Sequence, residues 1–251
     1  MKKNKFSLFL TLFLISSTIW AQENSINTNR GNEILKKVDE NLMPFSFEAY
    51  RKLVNEEPDG SKKEFIFFSV KKGKDKVAML YISPASEKGR ATLRVGDNMW
   101  LYIPNVGKPI RITSMQSVVG GVFNNADIMR LDYAVEYDAT ILEQNEAEYV
   151  LNLKAKTRTV AYDRVKMWVD KKNIMLSKVE CYGASGTLIK ILEFKNIKNF
   201  GGGIIRPAII ETTSPLYEGY RSLMIFSRMK LRKLPDEVFT LDYLSRLDEL
   251  R

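Results

Sequence analysis

The segment Val95–Thr113, VGDNMWLYIPNVGKPIRIT, holds a strand-length run, Met99–Ile103, with no polar residue to turn toward water. Strand residues alternate between faces, so Trp100 and Tyr102 point one way while Met99, Leu101 and Ile103 point the other. A sheet containing such a strand must be covered on both sides. Neighbouring segments repeat the demand: Phe65 and Phe67 oppose Ile66, Phe68 and Val70, and Met79 and Tyr81 oppose Leu80 and Ile82. Two architectures answer it. One is a sandwich with a central apolar strand; the other is a sheet curled around apolar contents or a covering helix.

Period two governs most of the chain. Phe45–Val54, Glu64–Lys71, Lys76–Ser83 and Ala91–Val95 read as strands, separated by Glu57-Pro58-Asp59-Gly60 and Lys72-Gly73-Lys74-Asp75. Gly and Asp supply the tight reversals these turns need. Pro104 ends the Met99–Ile103 run, because proline cannot donate to a ladder, and Ile110–Thr113 resumes the alternation. Further strands are expected over Ala134–Asp138, Tyr149–Ala155, Tyr162–Asp170, Met175–Tyr182, Thr187–Phe194, Ile204–Thr213 and Ser222–Leu231. In this half Leu151 and Leu153 alternate with Asn152 and Lys154, so one face is polar and solvated. Helical periodicity appears at Asn29–Met43, where Ile34, Leu35, Val38 and Leu42 form a stripe that Pro44 terminates. A second, short helix is expected after Asn124 or Asn125, and a helical turn with Leu241, Leu244 and Leu247 follows Thr240.

The first residues have a different character. Lys2, Lys3 and Lys5 precede the apolar Phe6–Ile15, and Ala21 offers a small residue before Gln22. That order predicts a secretory signal peptide over 1–21, its apolar core too short for a membrane span. Residues 22–251 read as one exported, monomeric domain that does not span a membrane. Cleavage removes three lysines from a formal charge of +9, leaving a modest basic excess. This suits work near anionic headgroups and equally an ordinary basic surface, and no dense cluster suggests nucleic acid. One cysteine, Cys181, excludes an internal disulfide.

The chain has no histidine. Ser-His-Asp triads, imidazole zinc sites and the commonest general base are thereby removed, and a single cysteine adds no thiolate cluster. No metal site and no cofactor is expected. Asp127, Asp132, Glu136, Asp138, Asp163 and Asp170 stand in charged or turn-like contexts outside any acid–base motif and read as solvated surface. A binding protein, not an enzyme, is the expectation; a carboxylate-dependent hydrolase is the catalytic alternative.

Taken in order, the leader, the helix Asn29–Met43, Ser83-Pro84…Gly89, Gly96-Asp97…Trp100-Leu101-Tyr102-Ile103-Pro104, Arg111-Ile112, Trp168-Val169-Asp170-Lys171, Tyr182-Gly183…Gly186 with Lys190, and Pro235…Phe239-Thr240…Leu244 resemble the outer-membrane lipoprotein-sorting family, the LolA-like periplasmic carriers, in its longer variant. The resemblance runs over nearly the whole chain after the leader. Its motifs are individually weak, and their order and spacing carry it. It implies an unclosed antiparallel β-barrel, a half-barrel, with helices covering the concave face. It implies a hydrophobic cavity that shelters acyl chains, acting as a chaperone in lipoprotein transport and outer-membrane biogenesis. The partners implied are an inner-membrane transporter and an outer-membrane acceptor; the same fold also serves as an envelope-sensing module on a membrane-bound signalling partner. Two departures stand out: Ser83-Pro84 occupies the place of an Arg-Pro pair, and Gly121-Val122-Phe123-Asn124-Asn125-Ala126-Asp127 that of a Gly-Ser-Asp-Phe segment.

For lipid contact the residues expected in the cavity wall are Phe65, Phe67, Met79, Tyr81, Trp100 and Tyr102, the face gathering the larger aromatics. Val122–Leu131 is expected to be a movable plug that fills the cavity without cargo through Phe123, Ile128, Met129 and Leu131, with Gly120-Gly121 giving backbone freedom. Arg111 is expected to hold this plug or meet an anionic headgroup, the alternative being an exposed arginine at a strand end.

Overall fold

In the computed structural model, which describes residues 26–251, the period-two segments join one antiparallel sheet of thirteen strands. The expected signal peptide lies outside the described residues. Strands β1 (Ser46–Glu56), β2 (Lys62–Lys72), β3 (Lys76–Ser83), β4 (Ala91–Val95), β5 (Asn98–Tyr102) and β6 (Ile110–Ile112) form one wing as successive neighbours. The other wing comprises β7 (Tyr137–Gln144), β8 (Glu148–Ala155), β9 (Arg164–Asp170), β10 (Leu176–Tyr182), β11 (Leu188–Asn199), β12 (Ile205–Thr213) and β13 (Arg221–Leu231). The wings join where β1 pairs with β13, leaving β6 and β7 as free edges, so the barrel is unclosed. Residues 113–136, which connect those two edges, cross the concavity.

Helix α1 (residues 26–42) lies in the concavity, with Ile34, Leu35, Val38 and Leu42 buried in the main core. It also shields an edge: Asn32 Oδ1 accepts the Ala139 N–H of β7 at 2.8 Å, a group that would otherwise face solvent as a template for another strand. Gly31 makes that approach possible, since a Cβ there would lie 2.6 Å from the Ala139 carbonyl oxygen. The short helix expected after Asn124 is α2 (Asn125–Ile128), closed by a reciprocal capping box between Asn124 and Asp127.

The two-faced apolarity of β2–β5 has a specific cause. Their inner side packs in the main core with α1 and the connecting segment, while Phe68, Val70, Ala78, Leu80, Ala91 and Leu93 on the outer side form a second core. That second core is closed by the C-terminal 3-10 helices Asp236–Phe239 and Leu244–Leu250, through Val238, Phe239, Leu244 and Leu247. Pro235–Thr240 therefore covers the sheet rather than extending it. In the other wing the outer faces are polar, as the alternation of Leu151 and Leu153 with Asn152 and Lys154 predicts.

One expected strand is absent: Ala134–Asp138 is split into helix α3 (Tyr133–Glu136) and the start of β7. The cause is a long-range contact. The buried Asp39 carboxylate of α1 accepts the backbone N–H groups of Tyr133 at 2.8 Å and Ala134 at 2.9 Å, satisfying the first turn of a helix.

Candidate functional site

The cross-strand register sorts the expected wall residues. Phe67 lies opposite Tyr81, and Met79 opposite Ser69, so Phe65, Phe67, Met79 and Tyr81 share the concave face. The Phe67 and Tyr81 rings meet edge to face at 4.8 Å. A separate row runs Val70–Ala78–Leu93–Trp100–Arg111, and another Phe68–Leu80–Ala91–Tyr102. Trp100 and Tyr102 thus stand on the outer face, against the C-terminal core. Their expected place in the cavity wall is corrected by the two-residue turn Gly96-Asp97, which pairs Val95 with Asn98 and so sets Trp100 opposite Leu93. The signal was present in that turn; alternation within one strand cannot supply it.

Arg111 needs the same correction. It donates to Asn98 and lies over the Trp100 ring at 5.3 Å on the exposed outer row, away from the connecting segment. Phe123, Ile128, Met129 and Leu131 are all buried in the concave core. The groups holding this segment come from the sheet floor: Arg51 of β1 donates to the Ile128 carbonyl at 2.9 Å, and Arg94 of β4 to the Met129 carbonyl at 3.3 Å. A further clamp lies at Asp127, whose carboxylate accepts Lys190 Nζ at 2.7 Å, Tyr162 Oη at 2.9 Å and the Asn124 N–H at 3.0 Å. Lys190 also donates to the Val122 carbonyl at 2.6 Å, and the Val122 N–H donates to Ser222 at 3.0 Å. Burial, then the Asp127 carboxylate, pushes the Tyr162 hydroxyl well above its usual range, so it stays a donor.

Asp127 and Glu136 are therefore not solvated. Asp127 pairs with Lys190 and Glu136 with Arg94, both in the interior. Lys71 of β2 pairs with Asp132 at 2.8 Å. A charge in the inward phase of an apolar strand was the available signal: Arg51 lies between Ala49 and Leu53, and Lys190 two residues before Leu192. Gly121, expected as a hinge, serves close packing instead: a Cβ would fall 2.1 Å from Asn55 Oδ1.

Space remains beside this segment. An open, largely polar cavity of about 270 Å³ is bounded by Phe65 and Tyr81 of the concave face, by Glu87 and Arg90 beside them, and by Val118 and Asn125 of the connecting segment. Burial also raises the Tyr81 hydroxyl to about 12, keeping it neutral. No group of three or more carboxylate, thiol or imidazole side chains is arranged for a metal among the described residues, and no described helix is long and apolar enough to cross a membrane.

Comparison with known proteins gives a consistent result. A family model described as an uncharacterized protein matches residues 73–246. A LolA superfamily protein of Nitrosomonas europaea is 34% identical, with 85% of this chain and 98% of that one covered at a TM-score of 0.78. An outer membrane lipoprotein-sorting protein domain from Vibrio parahaemolyticus shares 21% identity over 88% of this chain and all of that one, at a TM-score of 0.76. A DUF1329 family protein from Desulfovibrio piger shares 20% identity over 87% of this chain and 99% of that one, at a TM-score of 0.77. These two share the fold. No curated protein matches the chain. With a half-barrel closed by its own helices and a relative of this identity and coverage, the chain belongs to the LolA superfamily.

Proposed function

We propose that this protein is an exported, periplasmic carrier that shelters acyl chains of a lipoprotein or another envelope lipid and passes them between membranes, with a membrane transporter as donor. The observation that carries the reading is a concave apolar face filled by side chains from α1 and the segment Val122–Leu131 instead of a second sheet. Each methylene moved from water into such a site contributes ~0.8 kcal/mol, so a sixteen-carbon chain offers roughly 12 kcal/mol before entropy and displacement are subtracted.

Binding of this kind requires no catalytic side chain. Phe123, Ile128, Met129 and Leu131 occupy the space that cargo would take, and methionine fits irregular partners with little strain. Cargo then competes with this plug, which lowers affinity and lets an acceptor remove the load. In this reading Arg51 and Arg94 latch the far end of the plug, while the Asp127–Lys190 clamp keeps its near end on the sheet. The cavity beside Phe65 and Tyr81 is where a chain begins to enter.

The test is a cysteine pair tying the plug to the sheet in a chain whose Cys181 is replaced. Oxidation should block loading and release of acyl cargo, and reduction should restore both. Equal exchange in the two forms would reduce the plug to a connecting segment, and stable co-purification with a signalling protein without cargo exchange would favour the envelope-sensing role.

A further inference from the structure

Among the described residues six cationic side chains are buried on the concave side: Arg51, Lys71, Arg94, Arg130, Lys190 and Arg206. Four have carboxylate partners among the described residues: Lys71 with Asp132, Arg94 with Glu136, and both Arg130 and Lys190 with Asp127. Arg51 and Arg206 have none; their acceptors are uncharged. Arg206 Nη1 donates to the Leu42 carbonyl at the end of α1, and its Nε donates to the Pro207 carbonyl at 3.1 Å. Arg51 donates to the Ile128 carbonyl and, at 3.3 Å, to the Met79 sulfur, while its Nε is buried without a hydrogen bond. Both guanidinium groups lie near one ring, with Arg206 4.0 Å and Arg51 5.8 Å from the Phe226 centroid. Both border a gap of about 20 Å³, with Phe123, Ile128, Arg130 and Asp127 on its other sides; the Asp127 carboxylate is already held by Lys190 and Arg130. The gap has room for about one water, so a larger group enters only when the plug moves.

We infer that Arg51 and Arg206 form the seat for an oxyanion head, the carboxylate or phosphate of an anionic amphiphile whose chain occupies the concavity. The inference rests on the acyl-carrier reading above. A chain that displaces Ile128 takes away the carbonyl that satisfies Arg51. A neutral lipid leaves that charge bare in an apolar surrounding, which is strongly unfavourable. A carboxylate or phosphate restores acceptors and supplies the negative charge neither arginine has as a partner, through paired oxygens that the guanidinium fork can take bidentately. Burial, then the neighbouring cations Arg51 and Arg130, hold the Arg206 guanidinium down to about 9; the carboxylate at this gap, Asp127, is paired with Lys190 and Arg130 and not with Arg51 or Arg206. The seat thus selects anionic over neutral cargo.

The experiment uses the mature protein and four probes below their aggregation limits: oleate, oleyl phosphate, oleyl alcohol and inorganic phosphate, with binding measured by calorimetry. At least one oleyl anion should bind ten-fold or more tighter than oleyl alcohol, and the tighter of the two identifies the head. In the Arg51→Gln, Arg206→Gln double variant the preference for the anions over the alcohol should vanish, whatever common shift in affinity the loosened plug gives all the oleyl probes; a preference kept at the wild-type ratio would overturn the seat. Equal affinity of oleate, oleyl phosphate and oleyl alcohol in the wild type would overturn the seat while leaving the carrier reading intact. Binding of inorganic phosphate as tight as oleyl phosphate would also overturn it, by assigning the arginines to a free anion. Failure of every oleyl probe to bind would remove the carrier reading and the seat with it.

Discussion

Replacing Asp127 by Asn should destabilise the fold by an amount set by the group left behind. The Asp127 side chain is fully buried and Lys190 is 5% exposed, with 2.7 Å between Oδ2 and Nζ. Removing one member of a buried pair typically costs about 3–5 kcal/mol, because the survivor stays charged in the interior. Asn has one acceptor oxygen, so it keeps either the Tyr162 or the Asn124 N–H bond, which use different carboxylate oxygens, but Lys190 keeps the Val122 carbonyl. The low end, about 3 kcal/mol, is therefore expected, or about 6–12 °C in Tm for a domain of this size. Lys190→Met should cost less, about 2 kcal/mol, since Arg130 at 3.7 Å still faces the carboxylate. With both changes only Arg130 is left charged without its carboxylate, so the double variant should still lose less than the two single losses combined, by about 1.5–3 kcal/mol. Urea unfolding followed by far-ultraviolet circular dichroism and tryptophan fluorescence, with coincident transitions, supplies the numbers. Additivity within about 0.5 kcal/mol, or single variants as stable as wild type, would refute the assignment of Asp127 as an interior clamp.

Asp39 makes stability depend on pH. Burial raises its carboxyl from 3.8 to about 7, against the opposing backbone hydrogen bonds from Ala134 and Tyr133. The folded protein then holds a proton that the unfolded chain releases above 3.8, so this contribution is complete below that pH and is lost as pH rises through 7. At about 1.4 kcal/mol per unit the window spans roughly 4 kcal/mol, and Asp39→Asn should flatten the urea midpoint between pH 4 and 7. Gly121→Ala should cost about 1–3 kcal/mol through collision with Asn55, and Asn55→Ala in the same chain should recover part of it; a neutral Gly121→Ala variant would show that the segment shifts freely. Leu247→Ala, at a fully buried position under the outer face, should lower stability by about 2–5 kcal/mol with no change in acyl binding. Trp100→Ala should likewise leave acyl retention intact, whereas Met79→Asp should abolish it; loss of retention in the tryptophan variant alone would return Trp100 to the cavity.

Local pattern carried much of this protein. Period two identified nearly all the strands, because a pleated chain shows alternate residues to opposite sides whatever its neighbours are. The apolar stripe of Ile34, Val38 and Leu42 identified α1, and asparagine before an apolar turn identified α2. The resemblance in motif order supplied the half-barrel. Tertiary structure decided which face is which. Trp100 and Phe67 have equivalent local contexts, and only the paired register through β3 and β4 puts them on opposite sides of the sheet. It also decided the fate of the charges. Asp127 in a polar run reads as surface, yet it is buried, because Lys190, 63 residues later, sits in the inward phase of β11 and supplies the opposite charge. The same holds for α3, which forms where strand alternation was expected because Asp39 satisfies its first N–H groups across 94 residues. Side-chain alternation is a property of neighbours in sequence; charge compensation in a low-dielectric interior is a property of neighbours in space.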